Sequence, residues 1–211
     1  MRNHNHAMNQ TRATPWFCES HQCHGARWLS RMFCWKGIKD ITVKATTLDD
    51  LRKAIQRIAS IISVPKDLLP TCGTSRDFGY PHIEVDQRGY HYVVVERGEE
   101  LERRTTQDPH ELLFWVFNSI THSMAFDFEL NHRVEGQDSR RIGFQKQLKL
   151  LGAIDSTWQN KAAEKQKVIL GQHPFDDFAS IRAQLTKELR DNGTSPDRAW
   201  ELACERYPLP K

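Results

Sequence analysis

The feature that most constrains this fold is a nearly all-apolar helix that begins near residue 109. Asp108 can cap the start of this helix, Pro109 fits its first position, and Glu111 can complete a capping box. The segment that follows, LLFWVFNSI at 112–120, is apolar almost all the way round the helix. Because a helix without a polar face must be buried, we predict that it is central and covered by a sheet and by other helices.

A small β-meander is predicted before this helix. Residues 82–86 alternate polar and apolar, and 90–97 are rich in aromatic and β-branched residues, with a glycine turn between the two segments. A second glycine turn would bring 101–106 back as a third strand. Residues 68–81 are dense in Gly, Pro, Ser and Thr, so they are predicted to form a loop.

Helical patterns occupy most of the remaining chain. Apolar residues over 48–62 recur at three- and four-residue steps; Thr46 or Thr47 can cap this helix, and Pro65 ends it. Further helices are predicted over about 138–151 and 156–170, and two shorter ones within 176–211. The sequence therefore predicts an α+β fold, with a small antiparallel β-meander packed on a mainly helical C-terminal half.

The 211 residues suffice for one domain of ordinary size with appendages. Residues 1–45 show no sustained period and hold seven Lys and Arg against two Asp and Glu. We predict an irregular or disordered extension over 1–45, an α+β domain over 46–177 and a C-terminal helical pair over 178–211. The extension contains potential zinc ligands without the second distant pair of a zinc finger, so no metal site is predicted from Cys18, His21, Cys23, His24 and Cys34.

Composition and motifs argue against several classes of function. No apolar run approaches the roughly 20 residues that cross a bilayer, and the N-terminus lacks the apolar stretch of a secretory signal. We therefore expect a cytoplasmic protein without membrane contact, whose odd number of cysteines are reduced thiols. Residues 46–211 hold 23 Lys and Arg against 25 Asp and Glu, which gives no basic face for a nucleic acid. No nucleophile elbow, phosphate-binding loop or dinucleotide fingerprint occurs, so neither an enzyme nor a cofactor is predicted.

A cluster of charged residues lies between the central helix and the next one, and it consists of Arg133, Glu135, Asp138, Arg140 and Arg141. Arg140 and Arg141 precede an apolar helical run by one turn, so their guanidinium groups should lie near the core and pair with carboxylates. These carboxylates could belong to a salt-bridged network that ties the two central helices, or to a binding partner. A third interpretation is a metal-dependent hydrolytic site at His132, Glu135 and Asp138, but the second histidine of a zinc-hydrolase helix is missing.

The meander offers a candidate recognition face. Strand alternation predicts that, if Ile83 and Val85 face the helices, the opposite face is polar and aromatic. That face would comprise His82, Glu84, Asp86 and one set of side chains from the strand that contains Tyr90 and Tyr92. Such a face can be plain solvated sheet or a surface that captures a basic partner. The candidate partner-binding residues are therefore Glu84, Asp86, Tyr90 and Tyr92, together with the charged cluster.

A series of short motifs resembles a known family. The motifs are PHIEVDQRGYHYVVVERGEELERRTTQDPHELLFWVF at 81–117, HRVEGQDSRRIGFQKQLKLLG at 132–152 and HPFDD at 173–177. In this order they resemble the immunity protein 63 family of bacterial polymorphic toxin systems, over about 46–177. The resemblance implies an α+β protein that binds and neutralises a toxin domain made by the same or a kindred cell.

Three hypotheses of function follow. The first is a non-enzymatic, cytoplasmic immunity protein that occludes its cognate toxin in a tight one-to-one complex, through aromatic anchors and paired charges. The second is a small metal-dependent hydrolase that uses His132, Glu135 and Asp138. The third is a regulatory DNA-binding protein that uses the two C-terminal helices around Asn192 and Gly193, although their balanced charge argues against phosphate contacts.

Overall fold

The computed structural model describes residues 47–210. In chain order, these residues form α1 (Leu48–Ile61), a 3-10 helix (Lys66–Leu68), β1 (Thr71–Cys72), β2 (Tyr80–Asp86), β3 (Gly89–Glu96), β4 (Glu99–Thr106), α2 (Pro109–Leu130), α3 (Ser139–Ile154), α4 (Ser156–Gln172), α5 (Ala179–Asp191) and α6 (Pro196–Arg206). The predicted α+β class is confirmed, with the strands before a helical C-terminal half. Among these helices, none has both the length and the apolar character needed to cross a membrane. The predicted extension over 1–45, with its cysteines and histidines, lies outside the described residues.

The four strands form one sheet in the order β1-β2-β3-β4. Strands β2, β3 and β4 pair antiparallel, as the meander predicted, and a bulge interrupts the pairing of β3 with β4 between Val94 and Val95. Strand β1 pairs parallel with β2 through Thr71 and Cys72. The prediction of a loop over 68–81 is therefore wrong at Thr71 and Cys72, because a two-residue strand is too short to show alternation.

Helix α2 is central, as its apolar sequence predicted. Leu112, Leu113 and Phe117 on this helix are fully buried. Helix α4 contributes the buried Trp158, whose ring stacks on Phe117 with 5.8 Å between centroids, and β2 contributes the buried Ile83. Sheet and helices thus share one core of large apolar side chains, whose burial is the main source of stability.

Helix α1 begins where its capping signal predicted. The Thr47 hydroxyl accepts a hydrogen bond from the Asp50 backbone N–H at 3.2 Å, and the Asp50 carboxylate accepts one from the Thr47 N–H at 3.2 Å. This reciprocal capping box satisfies two N–H groups that the helix leaves free. The helix then buries Leu51 and Ile55 in the common core.

Helices α5 and α6 pack against each other at the C-terminal end of the described chain. Arg182 of α5 is buried and donates hydrogen bonds to the carbonyl groups of Tyr207 and Pro208, just after α6. Its guanidinium also pairs with Asp176, which precedes α5. This arginine therefore joins both ends of the helical pair, whose separation as a domain at residue 178 stays a prediction.

Candidate functional site

The register of β2 and β3 decides which side chains share the outer face of the sheet, the face turned away from the helices. Ile83 pairs with Tyr92, and both are buried in the core. Tyr90 lies on the same side of β3 as Tyr92 and packs partly buried against that core. Glu84 and Asp86 alternate with Ile83, so they lie on the outer face. The structure therefore separates the two candidate tyrosines from the two candidate carboxylates.

Arg103 organises the charge on the outer face. Its guanidinium donates to Glu84 Oε2 on β2 at 2.7 Å and to both carboxylate oxygens of Glu100 on β4 at 2.7–3.0 Å. Glu84 Oε1 also lies 3.0 Å from Nε2 of the buried His82. The hydrogen bonds from Arg103 lower the pKa of Glu84 and the pKa of Glu100. These carboxylates stay 35% and 43% exposed, so they present negative charge to solvent.

Asp86, the last residue of β2, forms a second charged group. Its carboxylate accepts hydrogen bonds from Arg88 Nη2 at 2.8 Å and lies 2.8 Å from Nε2 of the buried His91. The other ring nitrogen of His91 lies 2.8 Å from the Thr105 hydroxyl on β4. The hydrogen bonds from Arg88 and His91 hold the pKa of Asp86 well below its ordinary value. The Asp86 carboxylate is therefore ionised at neutral pH and oriented by two neighbours.

Asp138 is the centre of the charged cluster after α2. As the N-cap of α3, its carboxylate accepts hydrogen bonds from the Arg140 backbone N–H at 2.9 Å, from Arg140 Nη2 at 2.7 Å and from the Asp176 N–H at 2.8 Å. Burial raises the pKa of Asp138, but these hydrogen bonds outweigh burial and the pKa is lowered. Arg140 also donates to the carbonyl groups of His173 and Pro174 at 2.9 and 2.8 Å. The start of α3 is thus tied to the segment between α4 and α5.

Arg141 makes a second link to the same segment. Its Nε and Nη2 each donate to one carboxylate oxygen of Asp177 at 2.8 Å, and its guanidinium lies 4.2 Å from the centroid of the Phe175 ring. Asp177 also accepts from the Asp138 N–H at 2.9 Å. The Arg141 hydrogen bonds lower the pKa of Asp177 to about 2. The predicted pairing of Arg140 and Arg141 with carboxylates is confirmed, but the network ties α3 to the α4–α5 segment rather than joining the two central helices.

Arg133 and Glu135 lie in the loop between α2 and α3, where both are exposed. Arg133 Nε donates to Glu129 Oε1 at 2.9 Å, and Glu129 is only 2% exposed. The loop borders an open groove of about 630 Å³, whose lining includes four residues of the charged cluster: Arg133, Glu135, Asp138 and Arg140. The exposed part of the cluster is therefore the loop with Arg133 and Glu135, although Arg133, like Arg140 and Arg141, is paired with a carboxylate of the protein itself.

The three residues of the hydrolase hypothesis are not arranged as a metal site. Across residues 47–210, no group of three or more His, Cys, Asp or Glu side chains is placed to hold a metal ion. His132 instead stacks on Phe128 with 3.8 Å between centroids, and its Nδ1 lies 2.8 Å from the Phe128 carbonyl oxygen. Asp138 is engaged by Arg140. The described residues therefore give no support to metal-dependent hydrolysis at His132.

Sequence reasoning did not identify Asp176 and Asp177 as part of the charged network. They lie 38 and 36 residues along the chain from Asp138 and Arg141, their respective partners. The HPFDD motif was a signal, because it places two carboxylates directly after a helix end. Their pairing was not predictable, since it depends on how α4 returns the chain towards the start of α3.

The segment from the end of β2 into α4 contains most of the meander, the central helix and the charged cluster. Residues 86–167 match the family immunity protein 63. The resemblance inferred from the sequence motifs is confirmed, over a shorter segment than the predicted 46–177. The matched family consists of immunity proteins of toxin–immunity systems. Comparisons with curated proteins and with solved structures give no significant match.

Proposed function

We propose that this chain is a non-enzymatic immunity protein that neutralises a cognate bacterial toxin domain by covering it in a one-to-one complex. The observation that carries the proposal is the match of residues 86–167 to immunity protein 63. Occlusion needs a stable fold and a complementary surface, and it needs no reacting group of its own. A cytoplasmic site of action follows from the proposal, because the toxin has to be blocked where it would act on the producing cell or its kin.

The charged surfaces of the fold support this proposal. On the outer face of the sheet, Glu84 and Asp86 are partly exposed and each is oriented by an arginine, Arg103 and Arg88 respectively. Side chains held in place by hydrogen bonds lose less conformational entropy when a partner binds. Charges arranged in this way favour specificity and rapid association with a partner of complementary charge. We therefore place the toxin contact on this face, with Glu84 and Asp86 as contact residues.

The loop between α2 and α3 is the second proposed contact surface. Arg133 and Glu135 are exposed there and can reach a partner. The loop is held in place at the start of α3, where Asp138, Arg140 and Arg141 form hydrogen bonds to the α4–α5 segment. Substituting these three would act on the partner by moving the loop, and substituting Arg133 would also leave the buried Glu129 unpaired. Substituting Glu135 would act on the partner directly.

Co-expression with the toxin tests the proposal. We expect the adjacent upstream gene to encode a large secreted protein with a variable C-terminal toxin domain. Expression of that domain alone should stop growth, and the chain should restore growth and co-purify with the domain at one-to-one stoichiometry. Growth that stays arrested, or growth restored without a complex, would contradict occlusion.

Matched variants assign the contact surface. Glu84→Gln with Asp86→Asn removes two charges from the sheet. Glu135→Ala removes the exposed carboxylate of the loop and leaves the pair of Arg133 with the buried Glu129 intact. Arg198→Ala is the control, because this arginine is exposed on α6 and its ion pairs within residues 47–210 are with Glu201 and Glu205 of the same helix. Each variant that removes a toxin contact should weaken binding at least about tenfold, at about 1.4 kcal/mol per tenfold. The control should bind as tightly as the wild type.

A further inference from the structure

The side chain of Phe78 is unusually exposed for its size. It is 89% exposed, more than any other large apolar side chain within residues 47–210. Phenylalanine side chains usually contribute to the core, because a ring buries a large apolar area. Phe78 instead lies in the turn between β1 and β2, where its ring projects into solvent.

The backbone that presents this ring is strained. Asp77, Phe78 and Gly79 have φ of +61°, +59° and +70°, so three consecutive residues are in the left-handed region. This region is accessible to glycine, but a bulky side chain such as that of phenylalanine rarely occupies it. A strained residue whose side chain contributes nothing to the core is an indication of function, since the strain lowers stability and the ring makes no apolar contact that offsets it.

Hydrogen bonds hold the turn in this conformation. The Phe78 N–H donates to Asp77 Oδ1 at 2.8 Å, and the Asp77 N–H donates to the Ser75 hydroxyl at 2.9 Å. The Tyr80 N–H donates to the Asp77 carbonyl oxygen at 3.1 Å, and the Gly79 N–H donates to the carbonyl oxygen of Val95 on β3 at 2.9 Å. The ring is therefore presented from a fixed support rather than from a free loop.

The turn lies beside the hairpin between β3 and β4. The Gly98 N–H lies 3.5 Å from Asp77 Oδ1, and a Cβ built on Gly79 would lie 3.8 Å from Glu96 Oε2. The hairpin residues Glu96, Arg97 and Glu99 are exposed. An isolated apolar ring next to exposed charges has the composition of a small interface, with an apolar centre and a polar rim.

We propose that Phe78 is the aromatic anchor of the toxin interface and inserts into an apolar pocket of the toxin domain. This inference rests on the proposed function and adds the end of the sheet, beside the β3–β4 hairpin, to the proposed contact surface. Tyr90 and Tyr92, the aromatic residues first considered for this role, lie on the helix side. An aromatic residue presented in a fixed orientation binds with a small loss of conformational entropy, as binding hot spots commonly do.

Two substitutions at Phe78 separate binding from folding. Phe78→Ala removes the ring and should raise the Kd for the purified toxin domain about 30-fold, the range of a binding hot spot. Phe78→Gly removes the ring and also relieves the strained φ. It should therefore lose the same affinity while the Tm rises by about 2–4 °C. Isothermal titration calorimetry with the 211-residue chain measures the first quantity, and thermal unfolding measures the second.

Val168→Ala is the matched control. Val168 is an apolar side chain on α4 that is 60% exposed, so its truncation also removes exposed apolar surface. It should leave the Kd within about twofold of the wild type, since isolated surface apolar groups contribute little.

Each alternative outcome has a distinct meaning. Wild-type chain that does not bind the toxin domain overturns both the proposed function and the anchor. If the wild type binds and Phe78→Ala binds with the same Kd, the anchor role of Phe78 is overturned but the proposed function is not. A fall in Tm for Phe78→Gly also overturns the anchor role, because it would show that the ring stabilises the fold. Two further results would overturn the anchor if Phe78→Ala leaves toxin binding unchanged. Sedimentation with phosphatidylglycerol vesicles that depends on Phe78 would indicate a membrane as its partner. Self-association in light scattering that depends on Phe78 would indicate a second copy of the chain.

Discussion

Replacement of Asp138 by alanine should destabilise the fold more than any single surface substitution. The carboxylate caps α3, pairs with the Arg140 guanidinium and accepts the hydrogen bond of the Asp176 N–H. Alanine removes all three interactions at once. It also leaves the Asp176 N–H without its acceptor, and the Arg140 guanidinium with only its two carbonyl acceptors, in a site where the aspartate side chain is only 8% exposed.

The magnitude follows from these contacts. Loss of an N-cap costs about 1 kcal/mol. Loss of the pair with Arg140 costs about 1.5 kcal/mol, the low end for a charged hydrogen bond, because that arginine is 27% exposed and keeps two carbonyl partners. The unsatisfied Asp176 N–H costs about 1 kcal/mol. We therefore expect the free energy of unfolding to fall by about 3.5 kcal/mol, and Tm to fall by about 7–14 °C for a domain of this size.

Urea denaturation followed by circular dichroism measures this loss, and an unchanged m-value would show that only stability has changed. Asp138→Asn is the matched variant: asparagine caps helices well but carries no charge, so we expect a loss of about 2 kcal/mol. Asp191→Ala, at an exposed position at the end of α5, should stay within about 0.5 kcal/mol of the wild type. A loss below about 1 kcal/mol for Asp138→Ala would refute this account of the network.

Two further predictions concern pH and backbone conformation. The pKa of Asp177 is lowered from 3.8 to about 2 by Arg141, so its stabilisation is complete above pH 3.8 and is lost as pH falls through about 2. Asp177→Asn should therefore lose less stability than the wild type in urea titrations between pH 4 and pH 2; equal losses would contradict the pairing. Gly89→Ala should cost at least about 2 kcal/mol, because the new Cβ would lie 2.3 Å from the Thr106 carbonyl oxygen at a φ of +126°. Gly98→Ala is the control, because Gly98 has a φ of +80° but no atom within 4 Å of the new Cβ; it should cost only about 1 kcal/mol in thermal unfolding. Similar costs for the two substitutions would show that the close approach at Gly89 is relieved by a small shift of the backbone.

The secondary structure was largely predictable because its signals are local. Thr47 and Asp108 cap α1 and α2 through hydrogen bonds to residues two or three positions away. Gly89 permits the first hairpin turn with a positive φ, which few other residues adopt. Such signals need only a few neighbouring residues, so they can be identified before the fold is known.

The candidate site was predictable only in part. That Arg140 and Arg141 pair with carboxylates followed from their positions near an apolar helix start. The partners Asp176 and Asp177 did not follow, because a different packing of α4 would place other groups there. The orientation of Tyr92 also depended on strand register, since β3 carries large side chains on both of its faces.

The amino-acid sequence by itself determined the helices, the meander, the α+β class and the resemblance to immunity protein 63, because each depends on patterns within short segments. The tertiary structure decided which face of β3 meets the core, which carboxylates hold the two arginines, and that Phe78 points into solvent from a left-handed turn. These outcomes depend on contacts between residues far apart in the chain, and local propensity carries no information about such contacts.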